Sequence, residues 1–278
     1  MGAKQPPVAE PAELSEEIAG VPVAWRESEP RTDAPVLYVH GVPSDGDDWL
    51  PFLERTGGYA PDLPGFGRSG KPADFDYSVA GYSAFLEAFL DHVGVHRYSL
   101  VVHDWGVAGL GLAQQAPGRV ARLVVIDGVP LLPGYRWHPA ARVWRTPLAG
   151  ELLMGFTTRF GMKRAMRRAF SDPRKADALA ERSWGHFDHG TQRAVLRLYR
   201  SAPPAALAAA GERLGDVTSP ALVTWGDADP YLPLEFARRY AEALGGETTV
   251  EIIDGAGHWP WLDRPEAVDT VTNFLMQA

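Results

Sequence analysis

Leu100-Val101-Val102-His103-Asp104-Trp105-Gly106 is an apolar run that stops abruptly on a carboxylate. The run is too short for a helix and reads as a buried strand, with a helix-period segment, Gly106–Gln115, directly behind it. Small or backbone-permissive positions around Asp104 let the chain turn sharply from strand to helix and leave the central side chain exposed at the strand end. A carboxylate held there can displace a leaving group from a saturated carbon and form an ester between protein and substrate.

The pattern extends in both directions from this elbow. Short apolar runs bounded by Gly, Pro or Asp predict strands at Val21–Glu27, Val36–His40, Gly58–Asp62, Ser99–His103, Arg122–Ile126, Ala221–Trp225 and Thr249–Ile253. Amphipathic spacing predicts helices at Val79–Val93, Gly106–Gln115, Leu234–Leu244 and Pro265–Met276. The alternation implies an α/β class with a mostly parallel sheet, and ligands bind at the strand ends of such sheets. From Pro130 to about Gly215 the pattern changes to helical stretches rich in Arg, Ala and aromatics, with no strand candidate. The expected organisation is a loose lead over 1–20, a core formed by 21–130 and 216–278, and an inserted helical cap over 131–215 enclosing an apolar pocket.

The 278 residues are 45% apolar, enough to fill one large core. With 27 Lys and Arg against 35 Asp and Glu, the net charge is −8 and no basic stripe would follow a phosphate backbone, so nucleic acid is not an expected partner. The absence of cysteine excludes disulfides and thiolate metal sites. No apolar run reaches membrane-spanning length and the first 20 residues lack a signal-peptide core, so a soluble, cytoplasmic protein with no membrane partner is expected.

Three further segments fall just after predicted strands. His40-Gly41-Val42-Pro43 can present the backbone N–H of Val42 to a developing oxyanion, and the N–H of Trp105 supplies a second donor. Trp225-Gly226-Asp227-Ala228-Asp229-Pro230 runs from a strand into a turn with two acids, and Asp254-Gly255-Ala256-Gly257-His258 places a histidine after the last strand. The chain order is therefore nucleophile, acid, histidine.

With His40-Gly41-Val42-Pro43, Asp62-Leu63-Pro64-Gly65-Phe66-Gly67-Arg68-Ser69, His103-Asp104-Trp105-Gly106 and Gly257-His258, the chain resembles the α/β-hydrolase fold from about Gly20 onward. The resemblance is to the branch with an aspartate nucleophile, which holds epoxide hydrolases and haloalkane dehalogenases. It implies attack by Asp104 on carbon and hydrolysis of the ester with His258 as general base, without metal or organic cofactor, on a small apolar substrate and water. Asp229 orients His258 in this reading, and its Gly-x-x-Asp-Pro spacing favours it over the rival Asp127. His40 is read as a structural brace.

The cap decides between the two chemistries. Leu198-Tyr199-Arg200 is similar to the place where epoxide hydrolases carry a ring-opening tyrosine, making Tyr199 the candidate acid and an epoxide hydrolase forming a vicinal diol the first expectation. The family's second cap tyrosine has no clear match, with Tyr135 and His138 as the available donors. The alternative is a haloalkane dehalogenase, which holds the leaving halide with the indole beside the nucleophile, here Trp105, and a second donor. Val42 replaces the asparagine used by one such group, leaving Trp137, Trp144 or Trp184 as cap candidates. A third reading is a hydrolase-like binding protein without turnover.

Overall fold

A computed structural model describes residues 10–277. Eight strands form one sheet: β1 (Ala12–Ile18), β2 (Val21–Ser28), β3 (Val36–Val39), β4 (Gly58–Pro61), β5 (Tyr98–Asp104), β6 (Val120–Gly128), β7 (Ala221–Gly226) and β8 (Thr248–Ile253). Their order is β1-β2-β4-β3-β5-β6-β7-β8, with β2 antiparallel to both neighbours and the rest parallel. The protein thus has the α/β-hydrolase fold.

Every residue of β5 is buried, as expected for a central strand covered on both faces. Its side chains alternate: Leu100 and Val102 pack beneath Phe85, Phe89 and Leu110, while Val101 faces the cluster of Phe52, Val271 and Phe274. The helices Val79–His92, Ala108–Gln115 and Glu235–Ala243 supply the first layer, and Leu50–Thr56 with Glu266–Leu275 the second.

One expectation is corrected. Within the lead, Ala12–Ile18 is not loose but forms edge strand β1, joined to β2 by a two-residue turn in which Ala19 and Gly20 have φ of 50° and 78°. Its sequence hides it because six of its seven residues are exposed and carry no alternating apolar face. Backbone pairing and contacts of Glu13 with Arg26 and Arg68 hold it instead. The expectation for residues 1–9 lies outside the described residues.

Between β6 and β7 the described residues contain only helices and loops, among them Pro139–Arg145, Ala149–Gly155, Arg159–Met166, Ala176–His186 and His189–Ser201. This helical insertion lies across the end of β5, which carries Asp104, and the loop after β8, which carries His258.

The Asp62–Ser69 motif has a structural task. Asp62 is fully buried and accepts from the N–H groups of Gly46 and Arg68 and from the Arg68 guanidinium at 2.8 and 2.9 Å. Burial opposes its charge, but Arg68 outweighs burial and holds the carboxyl below its usual range. His40 accepts from Leu63 N–H at 2.8 Å and so ties this motif to the loop holding Val42. Arg68→Met would strand a buried carboxylate and is expected to cost about 3 kcal/mol in urea unfolding at neutral pH. A loss below about 0.5 kcal/mol would show that the pair does not brace the motif.

Candidate active site

Asp104 ends β5 with φ 48° and ψ −119°, a conformation costly to any residue with a Cβ. Two glycines make the approach of neighbouring chain possible. A Cβ on Gly41 would lie 2.4 Å from Asp104 Cβ, and one on Gly106 would lie 2.1 Å from the Val39 carbonyl oxygen. Val42 N–H therefore reaches Asp104 Oδ2 at 2.9 Å, and Trp105 N–H also donates to this carboxylate. Burial nevertheless pushes the Asp104 carboxyl up to about 6, against the opposing pull of His258 and these two donors.

His258 comes from the glycine-rich loop after β8. Its Nδ1 donates to Asp229 Oδ2 at 2.7 Å, which leaves the Nε2 lone pair facing Asp104 Oδ1 at 3.8 Å. That separation is too long for a hydrogen bond. Burial disfavours the charged imidazole, but Asp229, through its charge and hydrogen bond, and Asp104 more than compensate and raise its pKa. Asp229 is itself held by Tyr231 N–H at 2.7 Å and Leu232 N–H at 3.2 Å on Oδ1.

The rival Asp127 also lies in this cluster, but it is not the partner of His258. It is fully buried at the end of β6 and accepts from Gly226 N–H at 3.0 Å. Burial and the adjacent Asp229 charge keep its carboxyl protonated well above the usual range, and it hydrogen-bonds Asp229.

A cavity of about 420 Å³ opens above Asp104 and His258. Its walls are mainly apolar and come largely from the helical insertion, including Trp144, Met154, Phe187 and Val195. Tyr199 lines it and is buried. Burial and the Asp104 charge push its hydroxyl well above its ordinary pKa, so it remains a donor. Tyr135 lines the same cavity, also under the field of Asp104, and its buried hydroxyl has no hydrogen-bond partner.

The Trp105 indole stacks on Trp137 at 5.3 Å and meets the Tyr199 ring edge-on at 5.0 Å. Its N–H lies near the Tyr199 hydroxyl but finds no acceptor in hydrogen-bonding geometry. Of the other tryptophans, Trp137 has spent its N–H on the Ala202 carbonyl, Trp144 lines the cavity, and Trp184 packs on Phe187 outside the lining. His138 lines it too, kept neutral with a pKa of about 4 by burial and by His258, while its Nδ1 caps the helix Pro139–Arg145.

The sequence reading missed His103 and Tyr231. His103 is buried beside His258 and hydrogen-bonds its carbonyl oxygen at 2.8 Å. Tyr231 lines the cavity against the His258 ring. The Asp229-Pro230-Tyr231 turn was a usable signal, since Asp side chains accept from N–H groups two residues on. Among the described residues, no cluster of three His, Asp or Glu side chains could hold a metal ion.

Because Asp104 is forced to ionise where burial resists it, Asp104→Asn should stabilise the fold by roughly 2–3 kcal/mol at pH 8, with the gain shrinking toward pH 4 as the wild-type carboxyl is protonated. Equal midpoints for both proteins in urea at pH 8 would contradict this. Asp229→Asn should reduce ester hydrolysis by about 10³–10⁴-fold because the imidazole loses its orienting acceptor. Asp127→Asn, which keeps a donor toward Asp229, should leave hydrolysis within the same order of magnitude, and rapid-quench kinetics distinguish the two.

Comparison with known proteins agrees with this geometry. The α/β-hydrolase fold family matches residues 34–265. A haloalkane dehalogenase of Mesorhizobium japonicum is 31% identical over 258 residues, covering 84% of this chain and 81% of that protein. The crystal structure of haloalkane dehalogenase DbeA from Bradyrhizobium elkani superposes with a TM-score of 0.82 at 26% identity, covering 95% of this chain and 97% of that one. The epoxide hydrolase CorEH, at 17% identity and a TM-score of 0.81 over 95% of this chain and 98% of its own, shares the fold. The chain belongs to the α/β-hydrolase fold family, in the branch whose nucleophile is an aspartate.

Proposed function

We propose that this hydrolase cleaves carbon–halogen bonds in small apolar haloalkanes, using water as the only co-substrate. The observation that carries the reading is a pair of buried donors without acceptors near Asp104: the Tyr135 hydroxyl, in the mainly apolar cavity lining, and the indole N–H of Trp105, the residue that follows Asp104. A departing halide is a soft acceptor that needs such weak donors and little water. The likeness to haloalkane dehalogenases over most of the chain supports the same choice and reverses the ranking drawn from sequence, which put epoxide opening first.

In the first step an Asp104 carboxylate oxygen attacks the carbon, the carbon–halogen bond breaks, and the halide leaves toward Trp105 and Tyr135. Next, His258 Nε2 takes a proton from water as it adds to the ester carbonyl, and the resulting oxyanion falls between the N–H groups of Val42 and Trp105. Asp229 stabilises the imidazolium. Collapse releases the alcohol and restores Asp104, so that haloalkane and water give alcohol, halide and one proton. The helical insertion acts as a cap that keeps bulk water from the first step.

A second reading, epoxide opening, is favoured by Tyr199, whose hydroxyl feels the Asp104 charge and which lines the same cavity as Tyr135. Two phenols could protonate the ring oxygen as it leaves.

His258→Gln should arrest turnover at the ester, and intact-mass spectrometry should then find the alkyl adduct with a bromoalkane. Adduct with styrene oxide alone would establish the epoxide reading, and adduct with neither would favour a ligand-binding protein. In the wild type, single-turnover alkylation should fall as pH drops through about 6, where Asp104 becomes protonated and loses its nucleophilic charge. Ester hydrolysis should also fail on acidification because His258 must be neutral to accept a proton, with Asp229 holding that limb up. A pH-independent alkylation rate between 5 and 8 would contradict the assignment of Asp104.

A further inference from the structure

The outer face of the helical insertion is unlike the rest of the surface. Of the ten large apolar side chains exposed among the described residues, six lie between Val143 and Phe160. Leu148, Leu152, Phe156 and Phe160 keep 77, 60, 79 and 75% of their surface exposed. Isolated exposed apolar residues are ordinary, but a contiguous set on one short segment marks a contact surface. The set also borders the cavity, since Leu153, Phe156 and Gly161 contribute to its lining.

The same segment is strongly basic in an acidic protein. From Arg142 to Arg168 there are seven Lys and Arg and a single acid, Glu151, whereas the whole chain carries −8. Glu151 is occupied by Arg200. Arg159 pairs with Glu181, and Lys163 and Arg167 pair with Asp177, but Arg164 and Arg168 are exposed and form no ion pair among the described residues.

We infer that this face, centred on Leu148, Leu152, Phe156 and Phe160 and flanked by Arg164 and Arg168, docks on an anionic lipid surface and admits to the cavity apolar substrate dissolved in the acyl layer. Aromatic and aliphatic side chains ringed by Lys and Arg are the composition that seats helices at the headgroup boundary, where anionic lipid attracts the cations. A second copy of the chain is a poorer occupant. A two-fold contact would set each basic segment against its own image.

No helix of the described residues is long and apolar enough to cross a membrane, so the contact is peripheral. The expectation of no membrane partner rested on that missing span, and a patch assembled from helix faces leaves no such run in the sequence. The inference rests on the proposed reading only for the apolar nature of the substrate, and docking is measured without turnover.

The full chain should sediment with vesicles of phosphatidylglycerol and phosphatidylcholine at low salt, and much less at high salt or with phosphatidylcholine alone. Leu152→Ser with Phe160→Ser, both outside the cavity lining, should weaken binding at least about tenfold with an unchanged circular dichroism spectrum. Arg164→Gln with Arg168→Gln should weaken it while leaving the apolar face intact. Absence of binding to the anionic vesicles, equal binding to phosphatidylcholine alone, or binding unaffected by the Leu152/Phe160 pair would overturn the inference. So would a dimer in sedimentation velocity that the same pair abolishes, because a second copy would then cover the face.

Discussion

The contact on which the site depends is the 2.9 Å hydrogen bond from Val42 N–H to the Asp104 carboxylate, made at a backbone conformation that disfavours any residue except glycine. It exists because two loops come together over the ends of β3 and β5, where Gly41 and Gly106 leave no side chain in the way. The strain at Asp104 is borne by the surrounding sheet, whose central strand is buried along its whole length. A less rigid scaffold would let the elbow relax and turn the carboxylate away.

The electrostatics follow from the same burial. A carboxylate in a dry apolar setting resists ionisation, and the backbone N–H groups and the imidazole of His258 oppose that resistance without cancelling it. Behind the imidazole, burial and the adjacent Asp229 keep Asp127 protonated, while Asp229 accepts from His258 Nδ1. Two charged carboxylates there would repel each other, whereas a protonated Asp127 steadies Asp229 as a hydrogen-bonded neighbour.

Above this cluster the helical insertion supplies mainly apolar walls, with the phenols of Tyr135 and Tyr199 and the side chains of His138, Thr157 and Thr158 among its few polar groups. On the outside of the same helices, the apolar face near the cavity mouth extends that character to the protein surface.

The sequence determined the alternation of strands and helices, the elbow at Asp104 and the chain order of Asp104, Asp229 and His258 just after strand ends, because these are written in local periodicity and in glycine placement. It could not reveal β1, whose pairing depends on a neighbour's backbone and not on its own apolar pattern. The Gly-x-x-Asp-Pro spacing favoured Asp229 over Asp127, but the contact itself, Asp229 on the imidazole and Asp127 on the Gly226 N–H, is made between segments far apart in the chain. Only the tertiary structure decided that Asp229 pairs with His258, that Tyr135 joins Tyr199 in one cavity, and that the Trp137 indole is committed to Ala202, because these are distances between segments far apart in the chain.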